Sequence, residues 1–151
     1  MTTLFPVSIR LHSVIDNLDE RGVRDTEPEI SITTVRGSMR TDGDIIHLRY
    51  KESTDGGEVD SHITVYPDGK VSISRTGAIL SDILFAEGEE CRTIYSIPPY
   101  RFDMSVMTER IRCSLDKDGG ELALYYGMNV GGGEKRVRMK LTVTPDNKRK
   151  G

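Results

Sequence analysis

Apolar residues in this chain recur at every second position in short runs, and turn-forming residues cut the runs at intervals of roughly eight to twelve positions. A period of two belongs to a half-buried strand, whose successive side chains point to opposite faces. The stretch 59–85 (VDSHITVYPDGKVSISRTGAILSDILF) shows it best. Val59, Ser61, Ile63 and Val65 share one face, and Asp60, His62, Thr64 and Tyr66 the other. Pro67-Asp68-Gly69 is a tight turn: proline presets φ, aspartate bonds its own backbone and glycine accepts positive φ. The returning strand carries Val71, Ile73 and Arg75 on its apolar face, so an arginine is expected among core residues. Thr76-Gly77 turns the chain again, into a strand through Ile83 and Phe85 that is apolar on both sides.

The same reading covers the rest of the chain. The first strand spans about residues 5–15, with Phe5, Val7, Ile9 and Leu11 inward, and residues 16–28 read as a polar loop. The second is expected to begin with Ile30 and Ile32 inward, then to change phase through a bulge to Val35 and Met39. After the hairpin signal of residues 41–44, Ile46, Leu48, Tyr50 and Glu52 share one face of the third strand. Beyond Phe85 a strand runs over residues 91–97 until Pro98-Pro99 stops it, since neither proline donates a ladder hydrogen bond. Phe102, Met104 and Val106 mark one further strand, and Ile111, Cys113 and Leu115 another. Leu122, Leu124, Tyr126 and Met128, then Val137, Met139, Leu141 and Val143, mark the last two.

About ten short strands and no convincing helix make this an all-β chain. Hairpin connections almost throughout favour a single antiparallel up-and-down meander closing into a β-barrel of about 8 to 10 strands, because closure removes exposed edges. Residues 1–144 form that barrel and 145–151 a flexible basic tail. The 36% apolar and 30% charged composition fits one buried and one wet face per strand. Without a secretion signal or a long apolar run, a cytoplasmic protein with no membrane span is expected. The same setting argues against a disulfide, so Cys91 and Cys113 are read as small hydrophobes at least half buried. His12, His47 and His62 are scattered and share no ligand spacing with the cysteines, so no metal site is expected, and no cofactor either.

The chain resembles the YwiB-like family of uncharacterised bacterial β-barrels with a lipocalin-like (calycin) fold. The resemblance rests on Tyr50 and Glu52 in RYKES, Arg75 and Gly77 in VSISRTG, Phe85 and Gly88 in ILFAEG, Tyr95, Thr108, and Tyr126 in DGGELALYY. It departs at residues 97–100, where only the first proline of the family's Thr-Pro-Tyr-Gly is kept. It implies the fold and no particular activity.

One internal cluster stands out. Strand parity turns Tyr50, Glu52, Arg75 and Tyr126 toward the core, and an arginine there needs an anion, because a stranded buried charge costs about 3–5 kcal/mol. Glu52 can be that anion, making a structural or protein-interaction barrel with an internal plug. The sharper alternative is a ligand site for a small amphipathic or anionic molecule, its carboxylate or phosphate on Arg75 and a tyrosine hydroxyl. Its tail would lie along Val71, Ile73, Ile83, Phe85, Met104 and Met139. No catalytic constellation is present, and GGGEK lacks the spacing of a phosphate-binding loop, so an enzyme is not expected. A third reading is a basic outer face of Arg110, Arg112, Arg136, Arg138 and Lys140, followed by residues 148–150, for an acidic partner or RNA. A solvated face explains these residues more simply, and apart from Tyr125 no aromatic series supports base stacking, so nucleic acid is not an expected partner.

Overall fold

The computed structural model describes residues 2–24 and 26–146. Ten antiparallel strands follow one another: β1 (Thr2–Leu18), β2 (Glu29–Asp42), β3 (Ile45–Thr54), β4 (Gly57–Val65), β5 (Val71–Gly77), β6 (Ser81–Phe85), β7 (Glu90–Ile97), β8 (Tyr100–Cys113), β9 (Gly120–Val130) and β10 (Gly133–Pro145). They form one sheet in the order β6-β5-β4-β3-β2-β1-β10-β9-β8-β7, so the first and last strands pair and the sheet's two edges fall mid-chain. A single bridge, Leu80 with Ser96, joins those edges through N–H···O bonds of 2.8 and 2.9 Å. The barrel is therefore nearly closed, with a seam between β6 and β7. No helix long and apolar enough to cross a membrane occurs among the described residues.

Inward positions at one end of the cylinder are filled. Ile9, Leu48, Ile63, Leu122, Leu124 and Leu141 are fully buried, and Leu115, from the loop after β8, packs into the same core. Each such side chain contributes about 1.5–3 kcal/mol by leaving water. The opposite end, where β5 and β9 finish and β6 and β10 begin, is lined more loosely and holds the polar cluster.

Several expectations need correction. β1 and β2 pair one to one from Thr2 with Asp42 to Ile15 with Glu29, so no bulge interrupts β2. Ile30 and Ile32 consequently point outward, 63% and 54% exposed. They can do so because β3 pairs with β2 only from Gly37 onward, leaving the first half of β2 at an open edge. The phase change between Val106 and Ile111 is not a strand boundary but a bulge between Thr108 and Arg110 within β8, which keeps both apolar sets facing in. Cys113, at the end of that strand, is exposed, whereas Cys91 is half buried, and both are free thiols. β1 also runs to Leu18, so Asp16, expected in a loop, lies in the strand and pairs with Arg24 at 3.1 Å. At the other terminus β10 includes Pro145, and Asp146 pairs with Arg36 at 3.2 Å. The rest of the basic tail, residues 147–151, lies outside the described residues.

Candidate ligand site inside the barrel

A single cross-strand row builds the polar wall. Gly37 of β2 pairs with Tyr50 of β3, Tyr50 with Ser61 of β4, Ser61 with Arg75 of β5, and Arg75 with Ser81 of β6. Directly opposed residues share a face, so Tyr50, Ser61, Arg75 and Ser81 all turn inward. Gly37 is required at the head of this row: a Cβ there would stand 2.3 Å from the Arg49 carbonyl oxygen and 3.1 Å from the Tyr50 Cβ. Tyr126 reaches the cluster from β9 and rests on Phe85, with ring centroids 4.8 Å apart.

The row leaves donors unmatched. Arg75 is half buried overall, yet its Nε is shut off from solvent and has no hydrogen-bond partner among the described residues; the same holds for Ser61 Oγ and Thr108 Oγ1. Burial pushes the Tyr50 phenol above its usual range; the Arg75 charge pulls it down, Glu52 pushes it up, and hydrogen-bonding approaches of the Ser61 and Arg75 side chains lower it further. Ser61 and Arg75 thus neighbour the Tyr50 hydroxyl without hydrogen bonds of good geometry from Ser61 Oγ or Arg75 Nε. Burial pushes the Tyr126 phenol up to about 12, against the pull of Arg75 and with a small push from Tyr50.

Arg75 and Glu52 make no ion pair among the described residues. The reason is register. Glu52 lies opposite Val59, one row nearer the barrel end than the Tyr50–Ser61–Arg75 row, and is only half buried.

Beside this wall is a cavity of about 310 Å³ lined mainly by apolar side chains. Of the six tail-binding residues expected, Ile73, Ile83, Phe85, Met104 and Met139 line it together with Arg75 and Tyr126; Val71 is buried in the packed core instead. Lys135 was not singled out from sequence, though its parity with Val137 marks it as inward. It lines the cavity and donates to Asn17 Oδ1 at 2.5 Å, while Asn17 Nδ2 donates to Glu29 at 2.9 Å.

The outer faces divide differently. Arg110 opposes Tyr125, which opposes Arg138; Arg112 opposes Ala123, which opposes Lys140; and Arg136 opposes Gly127. Arg110, Arg112, Arg136, Arg138 and Lys140 therefore form one exposed face with Tyr125 amid it, on which Lys140 pairs with Glu121 at 3.6 Å. On the far side, His47 and His62, 15 residues apart in sequence, stack with ring centroids 5.2 Å apart. No group of three or more potential metal ligands of the His, Cys, Asp and Glu types occurs among the described residues.

A nearly closed ten-stranded antiparallel barrel with a small, mostly apolar cavity and a polar inner wall is the class of protein these observations define. Over residues 16–142 the chain matches the model of DUF1934, a domain of unknown function, and it belongs to that family. It is 24% identical over 139 residues, 92% of each chain, to the uncharacterised β-barrel protein YwiB of Bacillus subtilis (strain 168). The crystal structure of the ywiB protein from Bacillus subtilis superposes with a TM-score of 0.83 at 23% identity, covering 95% of this chain and 94% of that one. That likeness shows the fold.

Proposed function

We propose that this protein binds a small amphipathic anion inside its barrel, in the manner of lipocalin-like proteins, without transforming it. The observation that carries the reading is the buried Arg75 Nε on the wall of a mostly apolar cavity, with the buried Ser61 hydroxyl next to it in the row, neither having a hydrogen-bond partner among the described residues. A buried donor left without an acceptor costs about 1–3 kcal/mol. A carboxylate or phosphate accepts from the guanidinium and a tyrosine hydroxyl at once, through charge-assisted bonds roughly twice as strong as neutral ones. Ile73, Ile83, Phe85, Met104 and Met139 supply the apolar bed, and methionines repack around irregular ligands. A volume of about 310 Å³ suits a head group with a short chain rather than a long-chain lipid.

Native mass spectrometry of freshly purified protein, followed by titration with decanoate and decanol, tests the proposal. The wild-type barrel is expected to retain an amphipathic anion and to bind decanoate over decanol. Arg75→Met is expected to fold with equal or greater stability, since an apolar replacement removes the unmatched charge, and to lose the preference. A stable Arg75→Met barrel that binds decanoate as well as wild type would sink the reading.

A further inference from the structure

The sheet that carries Arg75 on its inner face carries a second constellation outside. Ser38 of β2, Arg49 of β3, His62 of β4 and Ser74 of β5 form one cross-strand row, and Arg40, His47 and Thr64 form the row beside it. Next to the first row is a groove of about 760 Å³ whose lining includes Arg36, Arg49, Lys51, His62 and Ser74. The basic groups here are not equivalent. Arg36 pairs with Asp146 at 3.2 Å and Lys51 with Asp60 at 3.9 Å, whereas Arg40 and Arg49 make no ion pair among the described residues. Acids outnumber bases 24 to 21 in this chain, so a general shortage of carboxylates does not explain it.

The two histidines orient a donor beside Arg49. His47 Nδ1 lies 3.0 Å from His62 Nε2, and Thr64 Oγ1 approaches the same Nε2 at 3.3 Å. With His47 donating through Nδ1 and His62 accepting at Nε2, one of the two tautomer assignments these contacts allow, the His62 proton lies on Nδ1. The groove then presents a planar guanidinium fork, an imidazole N–H and the Ser38 hydroxyl, while the Ser74 hydroxyl donates to Asp82 Oδ1 at 3.0 Å. Tetrahedral oxyanions are recognised by donors of these kinds.

We propose that this outer groove is a binding site for a phosphate monoester, its phosphoryl oxygens held by the Arg49 guanidinium and His62 Nδ1, with Arg40 adding charge from the neighbouring row. The site is separate from the barrel interior and does not depend on what binds there.

Burial holds both imidazoles below their usual range; Arg40, then Arg49, lower His47 further, and Arg49, His47 and Arg40 lower His62. Asp42 is the carboxylate that acts in the opposite sense, on His47. An anion seated on the arginines offsets their influence and raises both midpoints, which makes the histidines reporters of occupancy. The test is NMR titration of the imidazole C–H signals of His47 and His62 in inorganic phosphate, in phenyl phosphate and in chloride at matched ionic strength. Both phosphates are expected to raise the His47 and His62 midpoints more than chloride does. Arg49 is exposed, so Arg49→Gln folds, and it is expected to bind both phosphates about tenfold more weakly, the loss of one charge-assisted contact. Equal shifts in chloride and in phosphate overturn the proposal, and so does unchanged binding by Arg49→Gln.

Discussion

The two ends of the barrel interior obey the same inward parity and reach opposite outcomes. At the packed end, parity positions hold Ile9, Leu48, Ile63, Leu122, Leu124 and Leu141, all fully buried in mutual contact. At the other end they hold Arg75, Tyr126 and Lys135 beside methionines around a cavity, and Arg75 Nε there has no hydrogen-bond partner among the described residues. Apolar side chains of about the right volume satisfy one another wherever the pleat sends them, since dispersion and burial have little directional demand. Polar side chains need a partner within about 3 Å at a defined angle, which parity alone does not supply.

The contrast can be broken most forcefully at the packed end. Leu124→Ala is expected to cost about 2–5 kcal/mol in denaturant unfolding, because a fully buried leucine leaves a cavity that its neighbours only partly fill. Met139→Ala, on the cavity wall and only partly buried, is expected to cost clearly less than Leu124→Ala. Equal losses would mean that both ends are packed alike.

A smaller effect separates the tyrosines. Spectrophotometric titration is expected to show a phenol ionising at about 12, absent in Tyr126→Phe. Its folded value lies above the ordinary 10.0, so the folded state keeps the proton more tightly. The associated stability is fully present below pH 10 and is lost as pH rises toward 12. Ionisation of Tyr126 along with the exposed tyrosines would show that water reaches the cavity wall freely.

The smallest effect lies on the outer face. His47 and His62 are depressed below the ordinary 6.5, so the unfolded chain binds protons before the folded one does. Stability from these groups is complete above pH 6.5 and declines as pH falls through their folded values. Comparing wild type with a His47→Gln, His62→Gln variant by thermal unfolding between neutral and mildly acidic pH is expected to show a shallower decline in the variant. Parallel curves would show that the rings behave as if solvated.

Much of this architecture is legible in the residues. The turn at 67–69, the hairpin at 41–44 and the period-two runs place most strands and turn Tyr50, Arg75 and Tyr126 inward. Other features depend on neighbours that no local pattern names. Ile30 and Ile32 carry a strand pattern consistent with burial, but β3 does not extend beside them, and they face outward. The step between Val106 and Ile111 reads equally as a turn or a bulge until β9 is seen to pair across it.

An all-β meander and the side of the sheet on which Arg75 falls follow from the order of residues alone, because the alternation of side chains is a property of each strand's own backbone. What Arg75 meets is set by how the strands pair. Register across β3, β4 and β5 places Ser61 and Tyr50 in its row and moves Glu52 to the next, and the same register stacks His47 on His62 outside. A shift of one residue in any pairing would exchange these neighbours and turn the strand's faces over, so the chemistry of the site depends on the whole sheet closing in one alignment.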